Sequence, residues 1–164
     1  MSTRAALAAP FALLLPLAAQ FQLPVLVPGT APSGYTENME LLGDVDGDGD
    51  VDVLAFTRQL NDSARTSFRP LHNDGLGNLV AGTAAAIPAN SASYVGAADV
   101  DGDGFLDVIT NAWNQPAGPG LLVFRGLGGA SWAAPLHVPL PGHTLYFAAG
   151  HANGDGVADL FVVF

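Results

Sequence analysis

Cysteine is absent from this chain of 164 residues. Its absence excludes disulfides, thiolate metal sites and a lipid-modified cysteine anchor. An exported chain of this kind has cation binding and core packing left to hold its fold. Lysine is absent as well. The five basic residues are all arginine and stand against fifteen acids, for a formal net charge of −10. With no basic patch to neutralise phosphates, nucleic acid is not an expected partner. Long apolar runs are also missing. The longest, residues 5–19, is about fifteen residues with Pro10 and Pro16 inside it, short of the ~20 that a spanning helix needs. Catalytic signatures are scarce too: His72, His137, His143 and His151 are scattered, and no Gly-x-Ser-x-Gly elbow surrounds a nucleophile.

What is present is glycine, proline and aspartate in a pattern. Gly and Pro number 20 and 12, punctuating short apolar runs, which argues for an all-β domain. Of the fifteen acids, eleven lie in three related stretches, so the acidity belongs to loops and not to the surface at large. The first stretch places Asp44, Asp46, Asp48, Asp50 and Asp52 around Gly47 and Gly49. The second places Asp99, Asp101, Asp103 and Asp107 around Gly102 and Gly104. The third keeps Asn153, Asp155 and Asp159 around Gly154 and Gly156, with His151 at the position of the first aspartate.

A carboxylate at every second residue, followed by a Gly able to take positive φ, wraps oxygens around a hard cation. Four carboxylates within about 5 Å repel by about 1 to 4 kcal/mol per pair. Packing gives no reason for that arrangement, and a divalent cation does. All-oxygen ligands point to Ca²⁺ before Zn²⁺, and Mg²⁺ is disfavoured by its strict octahedral demand. The expected ligands are the side chains of Asp44, Asp46, Asp48 and Asp52 with the Asp50 carbonyl, then Asp99, Asp101, Asp103 and Asp107 with the Phe105 carbonyl. The third loop loses two formal charges and is expected to bind weakly or not at all. His151 there reads as a solvated or hydrogen-bonding residue, not a ligand. An EF-hand would need a Glu at position 12, where Ala55 and Thr110 stand, and helices on both sides. A dockerin pair also needs helices, and a β-roll needs tandem nonapeptides.

The stretches recur at matched spacing: Asp44 to Asp99 is 55 residues, and Asp99 to His151 is 52. Their flanks recur with them. Met39 to Leu42, Tyr94 to Ala97 and Tyr146 to Ala149 enter the loops as short strands, and Val53 to Phe56, Val108 to Thr110 and Leu160 to Val163 leave them. Ser67 to Leu71 and Leu121 to Arg125 read as third strands. Asn73-Asp74-Gly75-Leu76-Gly77-Asn78 is a turn, and Leu79-Val80-Ala81 and Trp132-Ala133 begin fourth strands. Four strands per unit of about 50 residues is a propeller blade.

The expected division is a cleaved secretory signal over residues 1–19, an N-terminal segment over 20–35 with Val25-Leu26-Val27-Pro28 as an outer strand, repeats over 36–91 and 92–143, and a partial repeat over 144–164. That makes an incomplete ring of about 2.5–3 blades, where closed propellers use ~4–8. Either the ring belongs to a longer chain, or copies join as a homo-oligomer, the last hairpin of one completed by the N-terminal strand of another.

The Asp-h-Asp-Gly-Asp-Gly-x-x-Asp unit followed by Asn73 to Asn78 resembles the FG-GAP/VCBS repeat family, found in integrin α-subunit propellers and in secreted bacterial proteins. The resemblance implies structural Ca²⁺ and a role in adhesion or ligand binding, with an extracellular protein or glycan as partner and no catalysis. A lectin-like module with Trp113 stacking on a sugar, or a fragment of a larger propeller enzyme, are the competing readings. His72 and His143 read as turn residues, and Phe56, Phe68, Phe124 and Trp132 as packing.

Overall fold

The computed structural model describes residues 31–62, 64–88, 93–113 and 115–164. The expected signal and the Val25–Pro28 strand lie outside these residues. Among the described residues eleven strands make three antiparallel sheets, and there is no helix. In the first sheet β1 (Tyr35–Gly43), β2 (Asp52–Gln59), β3 (Arg65–Asn73) and β4 (Leu79–Ala81) lie in order, with β5 (Ala85–Ala86) also on β3. The second sheet runs β6 (Val95–Ala98), β7 (Asp107–Ala112), β8 (Gly120–Phe124) and β9 (Leu136–Pro139). The last is the hairpin β10 (Tyr146–Gly150) with β11 (Asp159–Val163). Two blades and half of a third follow one another, as the repeat spacing implies.

The first blade's fourth strand begins at Leu79 as expected, and the second blade's departs from the expectation. In the first blade it is broken at residues 82–84 into β4 and β5. In the second, Trp132 makes only an isolated bridge to Gly126, and the strand proper begins at Leu136. Pro135 explains the delay, since it has no N–H to donate to a ladder.

Alternation along the strands decides which residues meet between blades. Leu54, Phe56 and Phe68 of the first blade bury against Val108, Leu122 and Phe124 of the second. Phe68 stands edge-on to Phe124 at 5.1 Å and to Trp132 at 5.0 Å. The opposite face of the second blade presents Ile109, Leu121 and Val123 to Phe147, Leu160 and Val162 of the hairpin. Covered on both sides, β7 and β8 are buried at every residue, which accounts for the wholly apolar sequence of β8, while β7 also buries Asp107, Thr110 and Asn111. Each fully buried side chain of this kind contributes about 1.5–3 kcal/mol. The entering strands approach closely: a Cβ on Gly96 would come to 2.8 Å from the Phe147 ring, so only glycine fits there.

The two outer faces differ. Away from the second blade, the first blade carries a bidentate ion pair (2.6 and 2.8 Å) between Arg69, opposite Ala55, and Glu37, opposite Thr57. The hairpin's outer face instead exposes Tyr146, Phe161 and Val163.

Candidate metal centres at the hairpin tips

Each aspartate stretch is the tip joining an entering strand to a leaving one: residues 44–51 join β1 to β2, 99–106 join β6 to β7, and 151–158 join β10 to β11. The first two tips are built alike. Asp44 Oδ1 and Oδ2 accept the N–H groups of Gly47 (2.7 Å) and Gly49 (3.0 Å). Asp99 accepts those of Gly102 (2.7 Å) and Gly104 (2.9 Å). All four glycines have positive φ, between 79° and 93°, which is what the tight wrap requires. Asp46 and Asp101 each accept the amide two residues on at 3.2 Å. Asp48 accepts that of Asp50 (2.8 Å), and Asp103 that of Phe105 (2.9 Å).

Asp52 and Asp107 have no exposed surface. Asp52 Oδ2 accepts from Val45 N (3.0 Å) and Oδ1 from Asn73 N (2.8 Å). Asp107 Oδ2 accepts from Val100 N (2.9 Å) and Oδ1 from Gly126 N (2.8 Å). One carboxylate therefore ties the start of its loop to the end of the third strand. Burial pushes the Asp107 carboxyl above its ordinary pKa, the two amides oppose that shift, and the charges of Asp101 and Asp103 add to it.

Ligand-type oxygens converge at both tips. Those of Asp44, Asp46 and Asp48 lie within 4.8 Å of one another, as do those of Asp99, Asp101 and Asp107. The donor set fits a hard divalent cation: closely set oxygens, with backbone amides already turning the carboxylates inward. Asp50 places its carboxylate over the Asn73–Asn78 turn, where Gly75 has φ 73° and a Cβ would come to 2.6 Å from Asp50 Oδ2.

The third tip is weaker. Asp159 is only partly buried and accepts one backbone amide, from Ala152 (2.8 Å), with Asn153 Nδ2 at 3.4 Å. Asp155 Oδ1 accepts the Val157 amide (2.9 Å), and His151 Nδ1 lies 3.1 Å from the Val157 carbonyl. Among the described residues this tip forms no cluster like the other two.

Sequence reasoning missed two residues. His72, expected in a turn, lies in β3 with Nδ1 3.0 Å from Asp46 Oδ2. It also joins Asp46 and Asp52 in a group whose ligand atoms lie within 4.8 Å. Arg125 takes the same place in the second blade: Nε donates to Asp101 Oδ2, and Nη2 lies 3.6 Å from Asp103 Oδ2. That hydrogen bond and charge raise the Arg125 pKa further. The signal was there, since each residue directly precedes the one whose amide the buried aspartate accepts, but only strand pairing brings it to the loop. Because its charge opposes a cation, Arg125→Ala is expected to tighten divalent-cation binding at the second tip by about threefold to tenfold. Calorimetric titration reads this directly, and weaker binding would show that Arg125 serves to position Asp101.

Trp113, the candidate sugar platform, donates its indole N–H to the Thr144 carbonyl (3.3 Å) and stands edge-on to His143 at 6.1 Å. It is 38% exposed.

Blades of up to four antiparallel strands, with aspartate loops between the first two, define a β-propeller-type repeat module. Residues 43–110, a stretch that includes both complete aspartate loops, match the family model of the FG-GAP-like repeat. No curated protein and no solved structure matches the chain. No described helix is long and apolar enough to cross a membrane.

Proposed function

We propose that this chain is a secreted, non-catalytic calcium-binding repeat protein whose blades serve extracellular adhesion or the binding of a protein or glycan ligand. The observation that carries this reading is the convergence of three carboxylates within 4.8 Å at each of two equivalent hairpin tips. Asp44, Asp46, Asp48 and Asp52 would hold one ion, and Asp99, Asp101, Asp103 and Asp107 another, with the Asp50 and Phe105 carbonyls completing the sets. The cation supplies positive charge that turns mutual repulsion into attraction. The protein's own groups do the rest: glycine amides orient Asp44 and Asp99, and the buried Asp52 and Asp107 link each loop to its third strand. Calcium in this role holds the fold and carries out no reaction. Secretion rests on residues 1–19, and amino-terminal sequencing of exported protein tests it.

Calorimetric calcium titration of EDTA-treated protein tests the sites. Asp48→Ala and Asp103→Ala are each expected to weaken one site at least tenfold and leave the other unchanged. Asp155→Ala is expected to change neither. Failure of the unsubstituted protein to take up calcium would overturn the reading.

A further inference from the structure

The half-blade leaves a groove. On one side, Val123, Leu136 and Val138 belong to the blade 2 face that the hairpin β10–β11 covers only in part. On the other stand Ala158 and Leu160 of the hairpin, and the space between is about 450 Å³. Leu136 is 59% exposed and Val138 36%, although both sit on the blade's outer strand. Among the described residues, β11 pairs along this groove with β10 alone. Val163 gives its carbonyl to the Leu145 amide beside β10 (2.8 Å), so alternation turns the peptide groups of Leu160 and Val162 to the open edge. Those two residues also face the second blade. An antiparallel strand added here would set its hydrogen-bonded residues with their side chains in the groove.

We propose that residues 21–28 of a second copy of this chain fill that groove as the strand next to β11. The segment reads Phe-Gln-Leu-Pro-Val-Leu-Val-Pro. Its odd positions, Phe21, Leu23, Val25 and Val27, are all apolar and all carry an N–H. Both prolines, Pro24 and Pro28, fall on even positions. In an extended strand one parity points its amides and side chains one way and the other parity the opposite way. The odd set can therefore pair with Leu160 and Val162 and line the groove, while the even set turns outward, where a missing N–H costs nothing and blocks further strand addition.

A second copy is required by reach. Residues 21–28 lead into Ala31 and Pro32, which lie with Glu37 and Arg69 on the blade 1 face turned away from blade 2. The groove lies beyond two sheet-to-sheet steps, at least ~20 Å, whereas residues 28–31 span at most ~10 Å. Reciprocal exchange between two copies closes the assembly as a dimer. The proposal is independent of the metal sites.

Light scattering of the calcium-loaded full chain is expected to give twice the single-chain mass, and Val25→Asp the single-chain mass. Because the chain lacks cysteine, a cross-linking test has no background. A Val25→Cys chain mixed with a tagged Leu136→Cys chain is expected to form a mixed covalent dimer with a short bifunctional thiol reagent. Single-chain mass for the unsubstituted protein would overturn the proposal. So would a dimer that Val25→Asp leaves intact with no mixed cross-link, or a cross-link found only within one chain that carries both substitutions.

Discussion

Withdrawing calcium with EDTA is expected to lower the melting temperature by about 10–20 °C, and adding it back to restore it. Ligands that bind only the folded state stabilise it by RT ln(1 + [L]/Kd). Extracellular calcium modules have Kd values of about 10⁻⁴–10⁻³ M. At ~10 mM free calcium each site then contributes ~1.4–2.7 kcal/mol. Two sites contribute ~3–5 kcal/mol, and about 3–4 °C per kcal/mol gives the stated shift. Magnesium is expected to do less, because it gives up its waters reluctantly and demands octahedral geometry. Differential scanning with elemental analysis checks both statements. No shift on chelation, together with no bound metal, would remove calcium from the account.

Asp52→Ala and Asp107→Ala are each expected to cost about 3–5 kcal/mol even in EDTA. Each carboxylate is fully buried and accepts two backbone amides, Val45 and Asn73 for Asp52, Val100 and Gly126 for Asp107. Alanine leaves both amides without an acceptor, at about 1–3 kcal/mol each, and adds a small void. Out of the ~5–15 kcal/mol that holds a typical domain together, this is a large share. Asn at either site keeps one carbonyl oxygen and removes the buried charge, so it should cost about half as much in EDTA while abolishing calcium uptake at its own tip. Asp159→Ala serves as the internal comparison, since that side chain accepts one backbone amide and is only partly buried. Its cost should stay near 1 kcal/mol. Urea unfolding in EDTA separates this structural role from metal loss. Equal costs at positions 107 and 159 would show that the second amide contributes nothing.

The polar pair on one end of the chain and the apolar face on the other bear on assembly. Arg69–Glu37 stands where the second blade has Leu122 at the equivalent position of β8, so the first blade's outer face is not a copy of the face that packs between blades. A simple head-to-tail stack would press that ion pair against Phe161 and Val163, desolvating charge without a new partner. Exchange of an edge strand avoids that contact.

How much of this was legible beforehand follows from the range of the interactions. The tips are local: Asp44, Asp46 and Asp48, like Asp99, Asp101 and Asp103, accept amides two to five residues on, and positive-φ glycines close the turn. Nine residues therefore carry their own geometry, and their recurrence at a spacing of 55 and 52 was enough to announce blades. Strands β1, β2, β7 and β11 fell where apolar alternation beside the tips placed them. The first blade's fourth strand began at Leu79 as its pattern placed it, whereas the second blade's began at Leu136 and not at Trp132, because these short edge segments are set by pairing with β3 and β8 more than by their own pattern.

The sequence by itself thus determined the hairpin tips, the blade period and the acidic donor sets, all of which depend on contacts within about ten residues. The tertiary structure decided which side chains stand across from those tips. His72 reaches Asp46 across 26 residues and Arg125 reaches Asp101 across 24, through strand registers that no local pattern encodes. The same registers gave Asp52 and Asp107 their second amide, turned Arg69 and Glu37 to one outer face, and left Leu136 and Val138 open beside β11. Contacts of that range exist only once β2 pairs with β3, β7 with β8, and the blades have packed.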